Sequence, residues 1–104
     1  MNIYRQGDVL LVPADKLPAD AEEVKRDAGR VVLAYGEVTG HAHALHGSGV
    51  YLYASKKTKA RHLRVVETDL LRHEEHTHVN VPPGIYRVIV QSEYRERELV
   101  RVAD

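Results

Sequence analysis

The stretch Pro82-Pro83-Gly84-Ile85-Tyr86-Arg87-Val88-Ile89-Val90 decides the fold class. From Ile85 onward it is almost wholly β-branched or aromatic, the composition that fits a pleated, half-buried surface. The breakers ahead of it place Pro83 and Gly84 at the central positions of a type II turn, with Val79-Asn80-Val81 leading in. Working back along the chain, Val50 to Ala54 and Leu63 to Glu67 flank the basic run Lys56-Lys57-Thr58-Lys59-Ala60-Arg61 as a hairpin. Arg30 to Tyr35 and Thr39 to Leu45 read as two more strands, with Gly36 as a bulge or turn between them. Gly7 to Pro13 is a short buried strand between breakers, and Leu99 to Val102 closes the chain as an edge. Residues 14–29 leave two readings open: a short helix starting near Pro18-Ala19-Asp20, or an irregular edge segment. Short strands at regular spacing predict a single all-β domain over 1–104. The expected form is a small barrel or half-open barrel of antiparallel strands with at most one short helix.

Composition narrows the function classes. The 104 residues suit one domain. Cysteine is absent, which removes disulfides, thiolate zinc sites and cysteine nucleophiles. Fifteen basic and fifteen acidic side chains cancel, so neither nucleic acid nor a membrane surface is the expected partner. The basic run is read as a solvated hairpin tip. No apolar run has the length of a membrane span, and Met1-Asn2-Ile3-Tyr4-Arg5 lacks a signal-peptide pattern. A cytoplasmic location is expected. HExxH, GxSxG and Walker patterns are missing, and Ser48 and Ser55 have no evident base.

The outlying feature is histidine. Six of the seven fall in two clusters, Thr39-Gly40-His41-Ala42-His43-Ala44-Leu45-His46 and His73-Glu74-Glu75-His76-Thr77-His78. On a strand, residues two apart share a face. His41 and His43 would then stand side by side, roughly 7 Å apart at a rise of about 3.3 Å per residue. Gly40, Ala42 and Ala44 leave the other face nearly bare, suited to close packing. In the second cluster, His73 and His76 share a helical face if Thr68 caps a helix. They flank a turn if Glu74-Glu75 joins two strands. Both readings bring the pair together. His78 shares a face with Asn80 and is expected to be exposed, and His46 and His62 are read as ordinary surface or hydrogen-bonded groups. Clustered neutral imidazoles gain little from mutual packing, whereas a divalent metal uses them all.

The strings Arg5-Gln6-Gly7-Asp8-Val9, Gly36-Glu37-Val38-Thr39-Gly40-His41-Ala42-His43, His73-Glu74-Glu75-His76 and Pro83-Gly84-Ile85-Tyr86-Arg87-Val88 resemble a group of short uncharacterised bacterial proteins. The likeness covers most of the chain and implies one compact unit. A weaker resemblance is to cupins, metal-binding barrels, through Gly36, His41, His43 and the Pro82-Pro83-Gly84 turn. Here the glutamate expected after HxH is missing, and the later histidine precedes the turn. In site chemistry alone, His41-Ala42-His43 with one later histidine is similar to the three-histidine zinc site of alpha-class carbonic anhydrases.

These readings converge on a zinc site built from His41, His43 and His76, with His73 as fourth ligand or support. Thr39 or Glu75 would orient a water for attack on carbon dioxide, an ester or an amide. A noncatalytic module with a closed histidine site is the alternative. A cupin-type iron or manganese oxygenase, which needs a carboxylate ligand such as Glu75, is a further one. The expected partner is a small-molecule substrate, and self-association is left open.

Overall fold

The computed structural model describes residues 2–92. Ten strands follow one another: β1 (Tyr4–Gln6), β2 (Val9–Pro13), β3 (Ala21–Glu23), β4 (Val31–Tyr35), β5 (Ala42–Leu45), β6 (Val50–Ser55), β7 (Arg61–Val65), β8 (Asp69–Arg72), β9 (Val79–Val81) and β10 (Gly84–Val90). They form a six-stranded sheet in the order β1-β2-β10-β7-β6-β3 and a four-stranded sheet in the order β4-β5-β8-β9. Every pairing is antiparallel. Helical backbone among the described residues is confined to Gln91 and Ser92. None of it is long and apolar enough to cross a membrane.

β10 lies inside the larger sheet, paired with β2 on one side and β7 on the other. Its alternation sends Tyr86, Val88 and Val90 inward and Arg87 out, as a period of two requires. Val9 and Leu11 of β2, Val50 and Leu52 of β6, and Leu63 and Val65 of β7 join them. The smaller sheet adds Val31, Leu33, Leu45, Leu71 and Val81, so the two inner faces make one core. Each fully buried leucine contributes about 1.5–3 kcal/mol relative to an exposed one.

The architecture is all-β as expected, but among the described residues the sheets stay open and do not close into a barrel. The larger sheet ends on β1 and β3 and the smaller on β4 and β9. β1, β3 and β9 are three residues long, and no ladder joins β1 or β3 to β4 or β9. Residues 14–29 take the edge-segment reading. β3 pairs with β6, and Asp20 caps no helix. It accepts from Ser55 Oγ at 2.8 Å and from the Lys57 N–H at 3.1 Å, so it pins the basic tip, where Lys56, Lys57 and Lys59 are exposed. The turn before β10 also differs from expectation. Gly84 has φ 158°, rather than the roughly +80° of a type II turn, and already pairs with Val65, so it opens β10 instead of sitting inside the turn. The edge strand expected at Leu99 to Val102 lies outside the described residues.

Two connections matter for function. β4 and β5 form a hairpin whose turn is closed by Gly36 N–H to His41 O at 2.8 Å and His41 N–H to Val38 O at 3.0 Å. Regular strand therefore begins at Ala42, three residues later than the sequence suggested. β8 and β9 pair antiparallel around the loop 73–78, which selects the two-strand reading of the second cluster over the helix.

Candidate metal centre

β5 is buried at all four positions. Ala42 and Ala44 are 3% and 1% exposed, because side chains this small let the strand pack on both faces. His43, between them, is carried inward and is 4% exposed. Across the sheet, Arg72 pairs with Ala44 at the end of β8, so the next residue, His73, emerges beside His43. The loop then returns with His76. The ring centroids of His43 and His73 are 4.3 Å apart, those of His73 and His76 4.6 Å, and those of His43 and His76 5.6 Å. One ring nitrogen from each of the three lies within 4.8 Å of the others. Donors on a tetrahedral zinc at about 2.0–2.1 Å sit about 3.3–3.4 Å apart, so the three nitrogens would have to draw together to share one ion. His43 and His73 are buried and His76 is exposed. The group therefore sits between the core and solvent, on the wall of a cleft of about 400 Å³.

His41 stands at the rim. Its ring is edge-on to His73 with centroids 5.9 Å apart, and it lies outside the three-nitrogen group. Its Nδ1 is buried with no hydrogen-bond partner and is 3.9 Å from Glu75 Oε1. Among the described residues His62 Nδ1, on β7 and away from this group, is buried and unpartnered in the same way, so the orphaned nitrogen is not particular to the centre.

Carboxylates and main-chain groups hold the frame. Glu74 Oε1 accepts from the Ala42 N–H at 2.9 Å, tying the second cluster to the first. That N–H is the main reason the Glu74 carboxyl lies below its usual range. The Glu75 N–H donates to His73 Nδ1 at 3.0 Å, which leaves the proton of neutral His73 on Nε2, so a metal on this ring must displace either that bond or that proton. Burial, followed by the charge His73 would carry, holds His43 below the ordinary histidine value. Both favour the neutral form, the one that binds a metal.

A third arm comes from the turn between β1 and β2. Gln6, 2% exposed, places Oε1 at 2.9 Å from His43 Nδ1 and donates through Nε2 to Leu71 O at 2.9 Å and Thr77 O at 3.0 Å. Gly7 sits against the rings of His76 and His43. Asp8 brings Oδ1 to 3.7 Å from His43 Nε2, while its Oδ2 accepts from Ser92 Oγ at 2.7 Å.

Of the residues expected at the site, His43, His73 and His76 are brought together, His41 adjoins them and Glu75 lines the cleft. Thr39 is exposed on the turn before β5 and is not part of the cleft wall. His46 and His78 are exposed. His62 is on β7, opposite Tyr53 and Arg87 in the other sheet. Sequence reasoning missed Gln6, Gly7 and Asp8 as site residues. Their only local signal is a glycine between two polar residues at a strand end, which marks a turn without saying what packs against it.

No curated protein and no solved structure matches the chain. The family model for a domain of unknown function, DUF8820, matches residues 5–91, a span containing every residue of the centre. The chain belongs to the DUF8820 family.

Proposed function

We propose that the protein is a small zinc-dependent enzyme of the cytoplasm that activates water for hydration or hydrolysis of a small substrate. The observation that carries this reading is the convergence of His43, His73 and His76, with ring nitrogens within 4.8 Å, at a solvent-accessible cleft. Three imidazoles with room for a further ligand are the donor set of catalytic zinc. Zinc in such a setting supplies Lewis acidity and lowers the pKa of a bound water to about 7. Around it, Asp8 and Glu75 offer carboxylate oxygens facing the cleft, where either can accept a proton or orient a water.

Elemental analysis of untagged protein should find about one zinc per chain. Carbon dioxide hydration and activated-ester hydrolysis should rise with pH through an apparent pKa near 7. Both should vanish on chelation and return with zinc. Negligible metal after growth in zinc-supplemented medium, with no affinity on titration, refutes the proposal.

The place of His41 at the rim, with its ring edge-on to His73 at 5.9 Å, favours a second reading, a closed four-histidine centre that is structural. Coordination number separates the two. Spectra of the cobalt-substituted protein that change with added anions or pH support the open, catalytic site, and spectra insensitive to both support the closed one.

A further inference from the structure

We propose that Gln6 is the positioning residue of the metal centre, holding His43 in the tautomer whose Nε2 faces the cleft and clamping the loop that carries His73 and His76. The proposal rests on the metal-site reading above. Its hydrogen-bonding half can also be tested with no metal present.

The argument is one of donors and acceptors. A glutamine amide offers two N–H donors on nitrogen and an acceptor oxygen. One end of the Gln6 amide lies 2.9 Å from Leu71 O and 3.0 Å from Thr77 O. Both partners are carbonyl oxygens and can only accept, so that end is the nitrogen and both of its protons are used. The amide cannot be flipped, because its oxygen would then face two other oxygens. Oε1 is therefore fixed at 2.9 Å from His43 Nδ1. An oxygen there accepts only if Nδ1 carries the proton. In neutral His43 the remaining nitrogen, Nε2, is then the bare lone pair, and it points to the side where Asp8 Oδ1 lies 3.7 Å away.

The same amide acts on the other ligands. Leu71 lies in β8, two residues before His73, and Thr77 follows His76 directly. One side chain from β1 thus grips both ends of the loop bearing two ligands while orienting the third. At 2% exposure, no water can take its place without opening the structure. Asparagine is a methylene shorter, glutamate has no N–H for the two carbonyls, and methionine supplies neither partner.

Two variants separate the roles. Gln6→Met removes every bond. Gln6→Glu keeps an acceptor for His43 and loses the donors to the loop. In metal-free wild-type protein, long-range proton–nitrogen NMR should show His43 protonated on Nδ1. Gln6→Met should move it toward the Nε2–H form, and Gln6→Glu should leave it on Nδ1. Zinc titration against a chromophoric chelator should show affinity about 10- to 100-fold weaker in Gln6→Met, the usual effect of losing a partner behind a histidine ligand, with a smaller loss in Gln6→Glu. Val88→Ala, a core truncation in the larger sheet, serves as the stability control and should bind zinc as wild type does. If Gln6→Met fails to fold, the tautomer in wild type and in Gln6→Glu still decides the orienting role. Wild-type His43 protonated on Nε2, or wild-type zinc affinity in a folded Gln6→Met, overturns the proposal. A wild-type protein that binds no zinc but has His43 protonated on Nδ1 refutes the metal centre alone.

Discussion

Gly7 shows how narrowly the centre is fitted at the level of single residues. Its φ of 57° is in the left-handed region, and a Cβ there would lie 2.9 Å from His76 Nε2. Gly29 has a similar backbone, φ 79°, but nothing within 4 Å of a would-be Cβ. Alanine at either position meets left-handed strain of roughly 1–2 kcal/mol. Gly7→Ala and Gly29→Ala should therefore lose similar stability in urea unfolding, while Gly7→Ala alone weakens zinc binding by pushing His76 aside. Equal zinc affinity in the two variants would show that His76 is not a ligand. The ligand series follows the same geometry. His43→Ala, His73→Ala and His76→Ala should each cut zinc affinity at least 100-fold, and His62→Ala should leave it unchanged. His41→Ala should have little effect on an open site and a large one on a closed four-histidine site. The clusters were legible because paired histidines are rare enough to stand out. Gln6 was not: it meets His43 across 37 residues of sequence, and no local pattern encodes that contact.

At the scale of elements, the sequence identified strands best where alternation or β-branching ran longest. β10 and β6 occur where expected, while β7 runs Arg61–Val65, starting and ending two residues earlier than expected and taking Arg61 out of the tip. The second histidine cluster had both a helical and a turn reading. Tertiary pairing chose the turn: β8 and β9 run side by side, and Leu71 and Val81 both enter the core. Residues 14–29 carried no periodicity, and there an edge ladder with β6 prevailed over the proline-first helix. β7 carries a pH prediction of its own. His62 is held below the ordinary histidine value, first by burial and then by Arg87 opposite it. A histidine with a depressed folded pKa binds fewer protons in the folded than in the unfolded chain. Its stabilising effect is full above the unfolded value of about 6.5 and is lost as pH falls through the folded one. Unfolding of the metal-free protein should become easier from about pH 7 downward, and His62→Leu should reduce that slope, His43, also lowered by burial, carrying part of the remainder. A slope unchanged by His62→Leu assigns the acid sensitivity to other groups.

For the whole molecule, the question is what the centre does for a domain with two open sheets. The ligand histidines all hang from the smaller sheet, on β5 and on the loop between β8 and β9. Gln6, Gly7 and Asp8 come from the first hairpin of the larger sheet, whose β1 lies beside β9. The site thus sits where the two sheets meet, and Gln6, from the larger sheet, bonds to His43 and to the Leu71 and Thr77 carbonyls of the smaller one. A metal that binds the assembled site and not the unfolded chain stabilises the fold by RT ln(1 + [L]/Kd), about 2.7 kcal/mol at a hundredfold excess over Kd. In a domain of this size about 1 kcal/mol shifts Tm by roughly 4–8 °C, so saturating zinc should raise Tm by on the order of 10–20 °C. Thermal melts over a zinc series should show Tm still climbing with the logarithm of free zinc above Kd. The climb should be absent in His43→Ala and should persist in His62→Ala. Bound zinc with a constant Tm would mean that the unfolded chain holds the metal equally well. The three histidines would then be a local chelating string, and the meeting of the two sheets would contribute nothing to the centre.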